Sequence, residues 1–383
     1  MKIGIDIRTL MEKNYSGVSE YTLNLIKAIL KKDRENEYKL FYNSGRDIKN
    51  RLPVFDYKNV EIISRRYPNK IFNYLLQKIF KYPKIDKILG VDVFWMPHLN
   101  FISLSKESKK ILTVHDLSFW RYPNFFNLRR NIWHCIINIK KLIRNADKIV
   151  AVSENTKNDI IDLAKISVDK IEVAYSGIDE QYKVIPRDDK NLAMIKEKYD
   201  LKDEFILFLG NLEPRKNLIS LIRAYNKFKR DNFWAENIDL VIAGGKGWKT
   251  KDIFEEKEKS EYRKNIKFLE YIPREEKVYL YNLASVFIYP SFYEGFGFPP
   301  LEAMACGTPV ITSSVSSLPE VVGGCSLLIN PDNSQEISEA VKLIFSDKKI
   351  RDSLTEAGIR RAKELNWEKT AEKYLRIFRE IKI

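Results

Sequence analysis

Short apolar runs alternate with helix-length stretches along the whole chain, and this alternation restricts the fold more than any other feature. The first series reads KIGIDIR from residue 2, YKLFYN near 38, VEIIS near 60, VDVFWMP near 91, ILTVHD near 111 and KIVAVSE near 148. Between these runs, 19–32 and 125–146 carry apolar residues at helical spacing, and Ser153 stands where a helix N-cap would. Strands separated by helices predict a parallel sheet with crossover connections. The pattern then loosens at IDEQYKVIPRDDKN, a charge-rich stretch containing Pro186, which predicts a linker. A second series follows: FILFLG at 205, IDLVIAGG at 238, IKFLEY at 266, VFIYPS at 286, PVITS at 309 and SLLIN at 326. The fold class is therefore α/β, with two doubly wound units in tandem. The first is expected over residues 1–185 and the second over 186–365, with a helical tail at 366–383 packing back on the first.

At 383 residues the chain has room for two domains that each bury a core. Its three cysteines, Cys135, Cys306 and Cys325, form no CxxC pair and leave an odd thiol, which argues against a disulfide framework and against a zinc site. A reducing, cytoplasmic compartment is expected. No run of about 18 apolar residues exists to span a bilayer, and Met1–Asp6 reads as a strand rather than a leader.

The formal charge of +14 points to anionic partners without choosing among nucleic acid, phospholipid and phosphorylated substrate. Residues 65–84 narrow the choice, because RRYPNKIFNYLLQKIFKYPK holds six basic residues, five aromatics and no acid in a mostly helical pattern. Two readings stand side by side: a peripheral contact with an anionic membrane surface, and a solvated basic helix whose aromatics pack on their own domain.

The window Tyr289–Val310, YPSFYEGFGFPPLEAMACGTPV, is the most informative. It reads as a strand end, a glycine-containing loop, and a helix opened by Pro299 or Pro300 and closed by Gly307. Such a helix start offers open backbone N–H groups and a positive dipole end, and Gly295 and Gly297 let the backbone approach an anion. Glu294 and Glu302 flank the loop at a spacing of eight, suited to accept hydrogen bonds from sugar hydroxyls. Alone, Glu302 also reads as a residue favouring a helix N-terminus and Glu294 as a surface loop residue. Upstream, GNLEPRKN follows a strand, placing Arg215 and Lys216 at a carboxyl edge where cations can clamp a diphosphate leaving group. A solvated basic turn fits the same segment. His115 ends the strand ILTV at the other sheet's carboxyl edge, as a substrate contact or a satisfied structural group. His98 has weaker claims, His134 reads as packing, and Gly17 lies in a loop before a helix where its backbone N–H can meet a ligand.

Together these windows resemble glycosyltransferase family 4 over nearly the whole chain. The resemblance is carried by the E-x7-E element, Glu294 and Glu302 within SFYEGFGFPPLEAMACGTPVITS, which is highly specific. EPRKN from Glu213, HDL from His115, SENTKNDI from Ser153 and GVSEYTLNLIKAI from Gly17 add to it. It implies the GT-B fold, two Rossmann-like domains with a cleft between them. It further implies that Arg215 and Lys216 hold the donor diphosphate, that Glu302 contacts the nucleotide ribose, and that Glu294 with the amides of Phe296 and Gly297 orients the transferred sugar. His115 would touch that sugar from the other domain, and Gly17 would approach the phosphates. Some members carry the diphosphate-binding arginine directly after the strand glycine; here that place is Asn211, so the role passes to Arg215.

The implied reaction is sugar transfer with retention, without a bound metal or other cofactor, the leaving phosphate helping to deprotonate the acceptor hydroxyl. The chain agrees in lacking a DxD motif in a strand-end loop. The pattern looks similar to bacterial mannosyltransferases that build surface polysaccharide from GDP-mannose on a glycan or polyprenyl-linked acceptor, working peripherally on the inner face of the cell membrane. Glucosyl or rhamnosyl transfer from a UDP or dTDP donor is the alternative. An epimerase or phosphorylase of the same architecture is a rival enzyme class. A basic Rossmann protein binding nucleic acid is a rival of another kind, and no base-stacking or groove-reading motif supports it.

Overall fold

In the computed structural model, residues 1–381 are described, apart from the side chains of Lys49 and His134; the packing role read for His134 lies outside the described residues. Seven parallel strands form the first sheet: β1 (Lys2–Asp6), β2 (Glu37–Asn43), β3 (Val60–Arg65), β4 (Val93–Met96), β5 (Lys109–Val114), β6 (Lys148–Ala151) and β7 (Ile171–Val173), in the order β3-β2-β1-β4-β5-β6-β7. Six more form the second: β8 (Phe205–Leu209), β9 (Asp239–Ala243), β10 (Ile266–Leu269), β11 (Val286–Tyr289), β12 (Val310–Ser313) and β13 (Leu327–Ile329), in the order β10-β9-β8-β11-β12-β13. The strand order reverses between β1 and β4 in the first sheet and between β8 and β11 in the second. At such a reversal the connecting loops leave in opposite directions and open a crevice at the strands' carboxyl ends.

The central strands are apolar because helices cover both faces of each sheet. All five residues of β8 and of β9 are buried, as are all four of β4, β11 and β12. The chain divides into two compact units. One comprises Met1–Arg121, Leu128–Gly177 and the stretch from Trp367 onward; the other comprises Tyr122–Asn127 and Ile178–Asn366. Within the first unit, helix Trp367–Glu380 lays Tyr374, Ile377 and Phe378 against helix Gly17–Lys32 and the indole of Trp95, whose ring centroid is 4.8 Å from that of Tyr374. Each such fully buried side chain contributes roughly 1.5–3 kcal/mol by removal from water.

Several elements differ from the sequence reading for local reasons. Strand β7 is three residues long with Glu172 at its centre, too short and too polar for a periodicity signal, and exists because β6 supplies its ladder. The single helix expected over 125–146 is two, Leu128–Ile137 and Ile139–Arg144. Asn138 takes φ 55° between them, and its side chain accepts from the backbone N–H of Lys141. The expected linker is packed chain: Tyr182 and Ile185 are buried in the second unit, the Ile185 N–H donates to Asn282 Oδ1 at 2.8 Å, and Asp189 caps a helix at Lys190–Lys198. The basic aromatic stretch forms a π-helix at Ile71–Phe80.

Candidate active site

Strand β8 runs into Gly210–Asn217 and β11 into Pro290–Gly297, so the two loops rise side by side at the second sheet's reversal point. The loop after β9 passes close against the first of them. A Cβ on Gly244, after β9, would sit 2.0 Å from the Gly210 carbonyl oxygen, and Gly244 has φ +143°, so only glycine lets the β9 loop pass there.

Pro214–Lys216 forms a single 3-10 turn, which throws Arg215 and Lys216 toward the second loop. The Phe292 N–H donates to the Arg215 carbonyl at 2.9 Å, tying the two loops through their backbones. Arg215 donates from Nη2 to Glu213 Oε1 at 2.7 Å, and from Nη1 to the Tyr293 carbonyl and to Glu294 Oε2, both at 3.1 Å. Lys216 donates from Nζ to Glu294 Oε1 and to the Tyr289 hydroxyl, both at 2.5 Å. Two cations and two carboxylates thus close on one another, with side chains between 4% and 16% exposed. Burial alone would raise the pKa of Glu294, but the charges of Arg215 and Lys216 outweigh it and hold the carboxyl below its ordinary range. Burial, helped by Arg215, depresses the Lys216 ammonium. The cluster holds two positive charges nearly out of water, faced by the carboxylates of Glu213 and Glu294.

Beyond Glu294 the loop is braced by two serines. Ser316 Oγ accepts from the Glu294 N–H at 3.0 Å, while the Ser317 hydroxyl reaches the carbonyls of Glu294 and Phe296 at 3.0 and 2.8 Å. Gly297 caps helix Phe298–Ala305 with φ +107°, and Pro299 and Pro300 open that helix where no N–H is needed. A Cβ at Gly297 would lie 2.7 Å from Leu318 Cδ2. Glu302 is buried in this helix and accepts from the Tyr281 hydroxyl at 2.7 Å. The structure therefore brings Arg215, Lys216 and Glu294 into one contact group beside Phe296 and Gly297, with Glu302 on the adjoining helix held by Tyr281. Among the described residues, no three His, Cys, Asp or Glu side chains gather as a metal ligand set.

His115 and Gly17 belong to the first unit. The His115 Nε2–H donates to the Pro97 carbonyl at 2.8 Å, so the neutral ring carries its lone pair on Nδ1. Burial pushes its pKa down to about 4, and the imidazole is neutral at pH 7. The ring of Tyr21 meets it edge-on at 4.7 Å, fixing its plane. His115 can accept a hydroxyl hydrogen through Nδ1 but carries no charge. Gly17 is the first residue of helix Gly17–Lys32 rather than part of a loop, with Ser16 as its N-cap. His98 stands at the first sheet's reversal point, with its Nε2 3.1 Å from Asn100 Nδ2.

Four residues with structural partners escaped the sequence reading. Tyr289 and Tyr281 read as strand and helix core, and only contact with Lys216 and Glu302 reveals them. Asp6 and Arg8 form a buried ion pair of 2.6 Å, and Arg8 also donates to Asn73 Oδ1 at 2.7 Å and to the Phe101 carbonyl at 3.0 Å. This pins helix Ile71–Phe80 to the end of β1. That helix leaves Ile71, Tyr74, Leu75, Ile79 and Phe80 exposed, with Tyr82 just beyond it.

Two parallel sheets with matching reversal points, one of them holding a buried cation pair beside a helix start, define the GT-B class of two Rossmann-like domains. Residues 189–361 match the family model described as glycosyl transferases group 1, and residues 15–182 match that of glycosyltransferase family 4. O-antigen chain mannosyltransferase B of Escherichia coli is 30% identical over 92% of this chain and 93% of its own length. Among solved structures, the sucrose-phosphate synthase of Thermosynechococcus elongatus has TM-score 0.74 at 19% identity, covering 100% of this chain and 99% of its own. HepE of Anabaena, solved with UDP and glucose, has TM-score 0.73 at 17% identity over 100% of both chains. The chain belongs to glycosyltransferase family 4 and is a hexosyltransferase.

Proposed function

We propose that this enzyme transfers mannose from GDP-mannose, with retention and without a metal, to a glycan or polyprenyl-linked acceptor during surface polysaccharide synthesis. The observation that carries the reading is the buried group Glu213, Arg215, Lys216 and Glu294 at the reversal of the second sheet. Its cations suit a diphosphate, whose departure with a full negative charge is the hard part of breaking the bond to the sugar. In this reading Lys216 and Arg215 stabilise the leaving group, Glu294 with the amides of Phe296 and Gly297 orients the hexose, and Glu302 binds ribose hydroxyls. Similarity to an O-antigen mannosyltransferase over nearly the full length favours mannose and a polysaccharide product.

A membrane-side acceptor fits the first unit. Helix Leu128–Ile137 exposes Leu128, Ile132 and Trp133 beside Arg129 and Arg130, and the Trp133 ring meets Phe101 at 6.5 Å. Lys78 Nζ lies 5.9 Å from the centre of that same Phe101 ring. Helices 71–80 and 128–137 therefore flank one residue and add their apolar and basic side chains together, as peripheral contact with anionic lipid requires. Among the described residues no helix is long and apolar enough to cross a membrane.

The test is turnover by the purified protein across a panel of nucleotide sugars. Release of GDP from GDP-mannose is expected; turnover of UDP-glucose but not GDP-mannose would remove the mannosyl assignment.

A further inference from the structure

Glu294 spends both carboxylate oxygens on the cations that the proposed reading gives to the donor. Oε1 accepts from Lys216 Nζ at 2.5 Å and Oε2 from Arg215 Nη1 at 3.1 Å. Two oxygens on one centre, each taking one cation, is the pattern with which a phosphoryl group would meet the same pair. Charge sets the two arrangements against each other. A diphosphate diester brings about two negative charges, and adding them to Glu213 and Glu294 would set about four against two cations in a poorly solvated pocket, where such an excess is strongly disfavoured.

The backbone around Glu294 is fixed by Ser316 and Ser317, so exchange falls to the side chain alone. Lys216 has a second anchor: its Nζ also donates to the Tyr289 hydroxyl, and the Tyr289 ring is clamped between Phe208 and Phe287, whose centroids lie 5.6 and 5.9 Å away. The ammonium therefore stays at the strand end when the carboxylate leaves.

Resting on the reading above, we propose that Glu294 is a built-in competitor of the donor diphosphate, holding the phosphate-binding cations until the diphosphate displaces it. The displaced carboxylate then turns to the sugar hydroxyls, so a ligand lacking the diphosphate meets a site whose cations are already taken. Donor specificity thus includes a requirement for enough negative charge to evict Glu294.

The test is calorimetric titration of the full chain and of Glu294→Gln with inorganic pyrophosphate, GDP and guanosine, beside transfer assays. Glu294→Gln is expected to bind pyrophosphate and GDP about tenfold more tightly, with guanosine unchanged and sugar transfer reduced. Glu294→Asp, which keeps the charge but withdraws the carboxylate by one methylene, is expected to gain less, and it serves if the glutamine variant does not fold. Equal or weaker pyrophosphate binding in the variants would overturn the proposal. Tighter pyrophosphate binding by the variants, with no GDP binding by either protein, would sink the guanine-nucleotide reading and leave the competition standing.

Discussion

The hydroxyls of Tyr21 and Tyr374 lie 2.9 Å apart, joining helix Gly17–Lys32 to helix Trp367–Glu380 across 353 positions of sequence. Thr113 Oγ1 is 2.5 Å from the same Tyr374 hydroxyl, and the Trp95 indole N–H donates to that threonine at 3.0 Å. A buried polar chain thus runs from β4 and β5 into both helices. Tyr374→Phe keeps the ring and deletes the link, leaving Tyr21 and Thr113 short of a partner. Chemical denaturation is expected to show a loss of about 1–3 kcal/mol in the first unit, whereas an unchanged midpoint would show that the chain of hydroxyls is dispensable.

His115 should leave a mark on stability as a function of pH. Its folded pKa of about 4 lies below the ordinary imidazole value of 6.5. Between those values the unfolded chain holds the proton and the folded chain does not. Stability is therefore full above pH 6.5 and falls as pH drops toward 4, by about 3 kcal/mol in all. His115→Gln removes that slope, which denaturation at a series of pH values would measure. A pH-rate profile with no inflection near 6.5 attributable to His115 is the matching kinetic result.

Lys216→Ala removes one of the two cations offered to the leaving group. By analogy with the loss of one oxyanion donor, roughly 3 kcal/mol of barrier should appear, a fall in kcat of about a hundredfold or more. A kcat within a few-fold of the parent would detach Lys216 from the chemistry.

Gly297→Ala tests the helix start by geometry alone. The added methyl meets Leu318 Cδ2 at 2.7 Å on a residue of φ +107°, so the loop must move. Protection against heat by GDP is expected to vanish while circular dichroism of the empty protein stays native.

Phe80→Asp combined with Trp133→Asp places charge on both flanking helices. Co-sedimentation with phosphatidylglycerol vesicles is expected to fall at least tenfold, and the single variants should fall less. Equal sedimentation of parent and double variant would remove the bilayer from the account.

Most of the fold was legible because its central strands are apolar runs buried on both faces, a pattern set by local sequence and independent of partners. What could not be read depended on partners. Strand β7 is a strand only because β6 lies beside it, and the stretch at 178–185 looks like linker until Asn282 caps it and Tyr182 finds a core. In the second sheet's site, charge and spacing pointed to Arg215, Lys216 and Glu294, ionisable residues in strand-end loops, and to Glu302 in the helix that follows the second loop. Nothing pointed to Tyr289 and Tyr281, since a tyrosine in an apolar strand or helix is indistinguishable from packing until its hydroxyl is seen against Lys216 or Glu302. The Asp6–Arg8 pair hid for the opposite reason: charges two residues apart near a strand end carry no periodic signal, and their value lies in reaching Asn73 and Phe101 far along the chain.

One unit of this molecule is assembled from stretches that surround most of the other in the linear order of the gene. During translation Ile178–Asn366, which is the second unit apart from Tyr122–Asn127, emerges as one stretch, whereas Met1–Arg121 and Leu128–Gly177 must wait with the apolar side of helix Gly17–Lys32 uncovered. Only when the segment after Trp367 arrives is that side sealed. Nascent chains stalled before that point should therefore be the ones that chaperones seize.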